Sequence, residues 1–414
     1  MNSNRVLILG LNWPEPEATA AGTRMMQLIH WFLEKNFQIT FASTAAFSNY
    51  SIDLSTLGID QQQIKLNHNS FDEFARKLDP SIVVFDRFIT EEQFGWRVAE
   101  KLPKAIRILD TEDLHSLRVY REIALADKKI FNSTDWLSAD ITKRELASIL
   151  RSDLSLIISD FELKLLVEKV KIDRSLLFYL PFVYKELTES IVKNWPPFEQ
   201  REHFVFIGNG KHAPNTDAIL WLNQSIWPLL RKSLPNAELH IYGPYMPERI
   251  RKMDNTETGF RIKGWVKGIA PVLSNARLNL VPLRFGAGLK GKLLEGFRKG
   301  IPAITTSVGA EGTGDLNELK HCTRDEAVSF SNLAIELYLD SHKWKEVQTL
   351  GTNLINKHFC KEDLKEEFLE KIIALGKNLQ QHRAANIFGG ILTHSSMQST
   401  KYLSKWIEAK NKLS

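Results

Sequence analysis

The residues in this chain with the clearest chemical potential are Arg284, Gly286, Gly288, Lys290, Lys292 and Glu295, all within Leu278–Val308. An apolar run ends there at Val281–Pro282, a loop carrying Arg284, Gly286 and Gly288 follows, and Gly300-Ile301-Pro302 opens the next apolar run. This order predicts strand, glycine loop, helix, tight turn, strand, the unit of an open parallel sheet. Such a loop lies at the carboxyl end of a strand and the amino end of a helix. Unpaired N–H groups and the helix dipole favour an anion at that point. Arg284, Lys290 and Lys292 add positive charge, and Glu295 is the acid of the stretch. Lys292 and Glu295 share a helix face, so Lys292 can hold a phosphate while Glu295 accepts protons from ribose hydroxyls. The plain alternative is an ordinary loop with solvated lysines.

The stretch resembles the nucleotide-sugar site of the retaining glycosyltransferases of group 1 (family 4). The resemblance rests on Pro282, Phe285–Gly288, Lys292, Glu295, Gly300–Pro302 and Thr306–Gly312. That family pairs two glutamates eight residues apart; Glu295 matches the second, and Ala287 stands where the first would be. The resemblance implies an α/β architecture of two Rossmann-like lobes with parallel sheets facing a central cleft, the GT-B fold. It further implies that Gly286, Gly288, Glu295, Lys211, Gly264, Val266 and Gly309 bind the nucleotide sugar, with Arg284 and Lys292 at the diphosphate.

Stepping along the chain identifies the elements that must carry these groups. Val6–Leu9 reads as a buried parallel strand, followed by the Pro-punctuated loop Asn12–Glu17. Helical spacing of Met25, Leu28, Ile29, Phe32 and Leu33 then leads to a second strand, Phe37–Phe41. No GxGxxG accompanies this unit, so a dinucleotide site is unsupported. In the resembled family the small residues before the helix face the cleft; here these are Ala20–Thr23. Ile82–Phe85 and Ile106–Leu109 each end in a carboxylate, Asp86 beside Arg87 and Asp110 at the head of Asp110–Arg118. Ionisable groups just past a strand belong near a crevice. Many group 1 members carry a His-Asp pair here; Asp113 matches the Asp, Glu112 stands at the His, and His115 is displaced nearby. An acidic helix amino terminus is the structural alternative.

Leu154–Ile158 predicts another strand, and Ser159 with Glu162 has the spacing of a capping box. Leu176–Leu180 closes the first lobe, and the linker is placed at Glu186–Glu202. The second lobe opens with His203–Ile207 and a loop carrying Lys211 and Pro214–Asn215, which match the family's strand, loop and Pro-Asn. Glu238–Tyr242 and Phe260–Ile262 are the next strands, with Gly264-Trp-Val266 near the expected nucleotide base. From Leu333 to Asn386 the pattern is helical. The division expected is 1–190 for the acceptor-side lobe, 200–375 for the donor-side lobe, and 376–414 for a helical tail. That tail either crosses back to the first lobe or forms a surface helix around Trp406, Lys405 and Lys410.

Composition narrows the function classes. A length of 414 residues favours two cores over one, and 43% apolar with 25% charged residues is ordinary for a globular protein. A net charge of +5 without any basic block argues against nucleic acid as partner. Cys322 and Cys360, with no CxxC, indicate neither a disulfide framework nor a zinc finger. The expectation is a cytoplasmic protein, with at most peripheral contact at the inner membrane surface, since no signal peptide or eighteen-residue apolar run is present.

The reading is an enzyme, a hexosyltransferase type of glycosyltransferase in polysaccharide or glycolipid synthesis. It would move a sugar from a nucleotide-diphosphate donor to a hydroxyl on a glycan, lipid-linked or small-molecule acceptor. Arg284, Lys292, Glu112, Asp113 and His115 are the candidate catalytic residues. No cofactor and no metal are expected, because no Asp-x-Asp stands at a strand end and cationic side chains supply the charge. The alternatives are a nucleotide-sugar epimerase of the same fold and a non-catalytic sugar-nucleotide-binding protein.

Overall fold

The computed structural model describes residues 4–314 and 316–413. The first lobe is built on a seven-stranded sheet: β1 (Arg5–Gly10), β2 (Gln38–Ser43), β3 (Asp60–Gln63), β4 (Ile82–Asp86), β5 (Ile106–Asp110), β6 (Leu154–Ile157) and β7 (Leu177–Tyr179). Its order is β3-β2-β1-β4-β5-β6-β7, and neighbouring strands pair in parallel. The second lobe has five strands: β8 (Glu202–Ile207), β9 (Leu239–Tyr242), β10 (Phe260–Gly264), β11 (Ala276–Val281) and β12 (Ala303–Thr305), in the parallel order β10-β9-β8-β11-β12. Two parallel sheets, each covered by helices, make the GT-B arrangement.

The strands form because their residues are apolar on both faces. Every residue of β4 and β5 is buried, as expected for strands sandwiched between helix layers. Edge strand β3 departs from this rule: its sequence is DQQQ, and one of its residues is half-buried while the others are exposed. It pairs only with β2, and polar residues suit an edge that faces water.

The helices that matter for the site are α1 (Ala20–Glu34), α2 (Arg87–Lys101), α3 (His115–Ala126), α4 (Asp140–Arg151), α5 (Asp160–Lys164), α6 (Ala213–Trp221) and α7 (Gly291–Arg298). In each sheet the strand order reverses once, between β1 and β4 and between β8 and β11. Loops diverge at such a switch point and leave a crevice beyond the carboxyl ends of the strands. The two crevices face each other.

Three helices end the chain: α8 (Ser341–Phe359), α9 (Asp363–Ala385) and α10 (Ile387–Leu413). Helix α8 stays on the second lobe, its Trp344, Leu354, Ile355 and Phe359 buried in that core. Helix α9 returns to the first lobe, where Phe368, Leu369, Ile372 and Leu375 join the core of Val6, Ile8, Phe32 and Ile82. The return therefore starts at Asp363, within the range the sequence assigned to the second lobe. Helix α10 packs on α2 and α4 and is tied there by Arg97, which pairs with Glu408 at 2.7 Å and with Asp72 at 2.8 Å. On this helix Trp406 is 61% exposed. No helix among the described residues is long and apolar enough to cross a membrane.

Candidate active site

The glycine loop between β11 and α7 is gripped by the opposite lobe. The Gly288 N–H donates to Glu162 Oε1 at 2.7 Å, and Arg121 Nη1 donates to the Gly286 carbonyl at 2.8 Å. Arg121 also makes a two-pronged ion pair with Glu311 of the second lobe, at 2.6 and 2.7 Å. Gly288 has φ +65°, and a Cβ there would come within 2.9 Å of Asp113 Cβ. Only glycine combines that backbone with that approach, so the loop lies directly on Glu112–Asp113.

Glu162 is where the sequence reading needs correcting. Its spacing from Ser159 suggested a capping box, yet the Ser159 side chain makes no cap bond to α5. Glu162 Oε1 instead accepts from Leu114 N–H at 2.9 Å as well as from Gly288 N–H. The physical reason is that Glu162 is buried between lobes, where two backbone donors from elsewhere would otherwise lack an acceptor. Burial, with Asp113 nearby, raises its pKa to about 8.

A cavity of about 620 Å³ separates the lobes. Lys290 and Lys292 line its second-lobe wall at the head of α7. Lys290 Nζ donates to the Gly288 carbonyl at 2.7 Å, and Lys292 Nζ donates to Asn215 Oδ1. Among the described residues neither lysine has a carboxylate partner within ion-pair distance. Burial pushes the Lys292 ammonium down to about 7, and neighbouring Lys290 adds to the shift. Lys290 is also lowered, chiefly by burial. Two desolvated amines at a helix amino terminus form a site that an anion would complete. Glu295 lines the same cavity one turn further on, with Arg298 at 2.7 Å.

The opposing wall holds acids and imidazoles. Helix α3 is fixed at its start by Glu145, which accepts from His115 N–H at 2.8 Å and Ser116 N–H at 2.9 Å. This presents Glu112, Asp113 and His115 to the cavity together with Arg87 and Arg118. Glu112 has φ +61° and Arg87 φ +69°, left-handed conformations that cost non-glycine residues energy. Burial raises Glu112 to about 8, with Asp110 adding to it, so this carboxyl is protonated at neutral pH. Burial works against the Asp113 carboxylate too, but Arg118 at 2.7 Å outweighs it and holds the group below its usual range. His115 is lowered by burial and by Arg118, while burial drives His212 to about 3. Both imidazoles are neutral at pH 7. Beneath this wall Arg24 and Asp110 form an ion pair at 2.9 Å, each at most 1% exposed.

Of the residues singled out from sequence, Lys292, Glu112, Asp113, His115, Gly286, Gly288, Glu295, Lys211 and Val266 line one cavity. Arg284, Gly264 and Gly309 do not. The Arg284 guanidinium turns to Asp217, a two-pronged pair outside the cavity, and lies 5.5 Å from the Trp221 ring. Gly264 ends β10 with φ +73°, just before Trp265 and Val266 enter the lining. Gly309 packs on Thr305 Oγ1, which leaves no space for a side chain. Lys211 lies 3.7 Å from the centre of the Tyr245 ring. The sequence reading missed His212 and the Arg121–Glu311 tie, and it weighed Arg87 and Lys290 only as neighbouring charge. The one sequence signal for His212 was its place just before Pro214–Asn215 at the start of α6.

Comparison with known proteins agrees with this geometry. Residues 201–340 match the family described as Glycosyl transferases group 1. No curated protein sequence matches the chain. Among solved structures, a glycosyltransferase from Rickettsia africae superposes with TM-score 0.60 at 12% identity, covering 91% of this chain and 100% of that one. Sucrose-phosphate synthase from Thermosynechococcus elongatus gives 0.61 at 13%, covering 92% and 99%. The Anabaena protein HepE in complex with UDP and glucose gives 0.58 at 11%, covering 90% and 100%. Identities this low speak for the fold alone, and the family match speaks for the second lobe. The chain is a two-lobed GT-B protein related, through that lobe, to the group 1 glycosyltransferases.

Proposed function

We propose that this protein transfers a sugar, with retention at the anomeric carbon, from a nucleotide-diphosphate donor to a hydroxyl acceptor in glycan or glycolipid synthesis. The observation that carries the reading is the pair of lysines at the head of α7, Lys290 buried and Lys292 half-buried, facing Glu112 across the cavity. The bond from the sugar's anomeric carbon to the diphosphate breaks with its electron pair on the diphosphate oxygen. Charge develops there, where two preorganised ammonium groups and the helix terminus stabilise it. The acceptor oxygen bonds the anomeric carbon, and its proton passes to the departing diphosphate oxygen. Glu295 positions the ribose, and protonated Glu112 donates a hydrogen bond to a donor-sugar hydroxyl. Arg284, tied to Asp217, takes no part, and Lys290 fills the place first given to it. The lobe contacts exclude water, which limits donor hydrolysis. Retention at the anomeric carbon is proposed from the relation to the group 1 family.

Glu112 with neutral His115 and His212 also makes an acid–base set, which favours a second reading, isomerisation of the donor sugar. Incubation with a panel of uridine, guanosine and adenosine diphosphate sugars, read by NMR, separates the possibilities. Transfer to acceptor or slow donor hydrolysis, with the anomeric configuration kept in the product, supports the first. An isomerised donor supports the second, and binding without turnover means a binding protein.

A pH dependence follows from Lys292. Its free-state pKa near 7 rises when a diphosphate takes the place of lost solvation. Binding of nucleoside diphosphate therefore takes up a proton at pH 8, and affinity falls as pH rises from about 7. Calorimetry in buffers of different ionisation enthalpy measures the uptake; release of protons at pH 8 would contradict the assignment.

A further inference from the structure

We propose that His203, Glu238 and His240 form a site for one divalent transition-metal ion, zinc fitting best, separate from the donor cavity. Strands β8 and β9 lie side by side with Val205 opposite His240. The ladder continues one step back, where Phe204 N–H donates to the Glu238 carbonyl at 2.9 Å. Glu238 and His240 flank Leu239, which is fully buried, so both project from the opposite face of the sheet.

His203 reaches the same face by an unusual route. It has φ +64° inside a strand, a left-handed conformation for a residue with a side chain. Its ring lies over His240, centroids 4.4 Å apart. His240 Nε2 is 2.6 Å from Glu238 Oε2, and one potential ligand atom from each of the three residues falls within 4.8 Å of the others. Tetrahedral ligands at the ~2.0–2.1 Å of zinc–nitrogen and zinc–oxygen bonds stand about 3.3 Å apart. Small side-chain rotations close that gap.

The donor set is two imidazoles and a carboxylate, the combination that suits zinc and its neighbours among the first-row divalent metals. Glu202, whose carboxylate lies 3.7 Å from His203 Nε2, is within reach as a further ligand. Lys263 is close enough to act on both Glu238 and His240, and its charge opposes the cation while that of Glu238 offsets it. A cavity of about 220 Å³ opens beside the group, bounded by His203, His240, Tyr242 and Asn275, with room for a completing water.

Strand β8 begins at this cluster and ends at Ile207, which with Gly208 lines the donor cavity, so the ion is distant from the sugar chemistry along the strand. Tyr242 is shared: its ring is 6.3 Å from His240, and it also lines the donor cavity. The metal would brace the amino-terminal ends of β8 and β9 beneath the nucleotide site.

The test uses untagged full-length protein, stripped with chelator and titrated with zinc by calorimetry and with cobalt(II) by visible absorption. One zinc per chain is expected, with cobalt bands of a low-symmetry four- or five-coordinate site. His203→Ala, His240→Ala and Glu238→Gln should each weaken zinc at least tenfold, and zinc should raise the melting temperature of the unmutated chain only. Circular dichroism identifies any variant that fails to fold, and the conservative Glu238→Gln then carries the comparison. Zinc uptake that is absent from the unmutated chain, or unchanged in the folded variants, would overturn the proposal. The cluster would then be a hydrogen-bonded Glu–His pair beside a tilted imidazole.

Discussion

Replacing Lys292 with alanine is expected to weaken nucleoside diphosphate binding tenfold to about a hundredfold and leave bare nucleoside binding nearly unchanged. A hydrogen bond to a charged group contributes roughly 1.5–3 kcal/mol, and the partner of Lys292 is the phosphate, which a nucleoside lacks. Turnover should fall as well, because charge on the departing diphosphate grows in the transition state. Glu295→Ala should weaken both ligands by similar factors, since both contain the ribose. Its surroundings sharpen the contrast: Glu295 is half-buried and already paired with Arg298 at 2.7 Å, so its loss frees Arg298 for solvent and leaves the helix largely intact. Calorimetric titration of the unmutated chain and both variants with nucleoside and nucleoside diphosphate reads out all the effects. Equal affinities throughout would remove Lys292 and Glu295 from the site.

Asp110→Ala is expected to lower stability by roughly 3–5 kcal/mol, because it strands the Arg24 guanidinium in the first-lobe core without its partner. In a lobe of this size that corresponds to about 6–20 °C in the melting transition. Asp110→Asn keeps the shape and an acceptor and should cost less. A second consequence concerns Glu112, whose pKa near 8 comes first from burial and next from Asp110. A carboxyl raised above its ordinary 4.5 holds more protons folded than unfolded. It therefore takes stability away as pH climbs from about 4.5 toward 8. Either substitution lowers the upper edge of that window, and the pH profile of any transfer activity that needs protonated Glu112 should move down with it. Urea titrations from pH 5 to 8 give both numbers. A stability loss under about 1 kcal/mol for the alanine variant would mean that water reaches Arg24 and satisfies it.

Much of the architecture was legible because buried parallel strands write themselves as apolar runs. Val6–Leu9, Ile82–Phe85 and Ile106–Leu109 were found within a residue or so of their bounds. Strand β3 was not, because DQQQ at a solvated edge carries no apolar signal. The cavity-lining groups near the glycine loop were legible from local sequence, since a helix amino terminus fixes Gly288, Lys292 and Glu295 relative to one another. Arg284 was misplaced because a flexible side chain chooses among carboxylates that only tertiary structure brings near, here Asp217. Glu162 failed for the same reason in reverse: the local pattern offered a capping role, and the buried N–H of Gly288, 126 positions away in sequence, took the carboxylate instead. His212 gave little warning, because its depressed pKa arises from burial and from Arg118 of the other lobe.

The return of α9 to the first lobe has a consequence for how the chain is made. Phe368 packs against Phe32 and Phe178 with ring centres 6.0 and 5.8 Å away, so the back of the first sheet is closed by residues translated after the second lobe. A ribosome adding ~5–20 residues per second spends roughly 10–40 s on the stretch between β7 and the end of α9. Throughout that interval the nascent first lobe exposes the apolar surface meant for Phe368, Leu369, Ile372 and Leu375. The lobe synthesised first is therefore the lobe completed last, and during synthesis that surface is the natural docking point for a holdase chaperone.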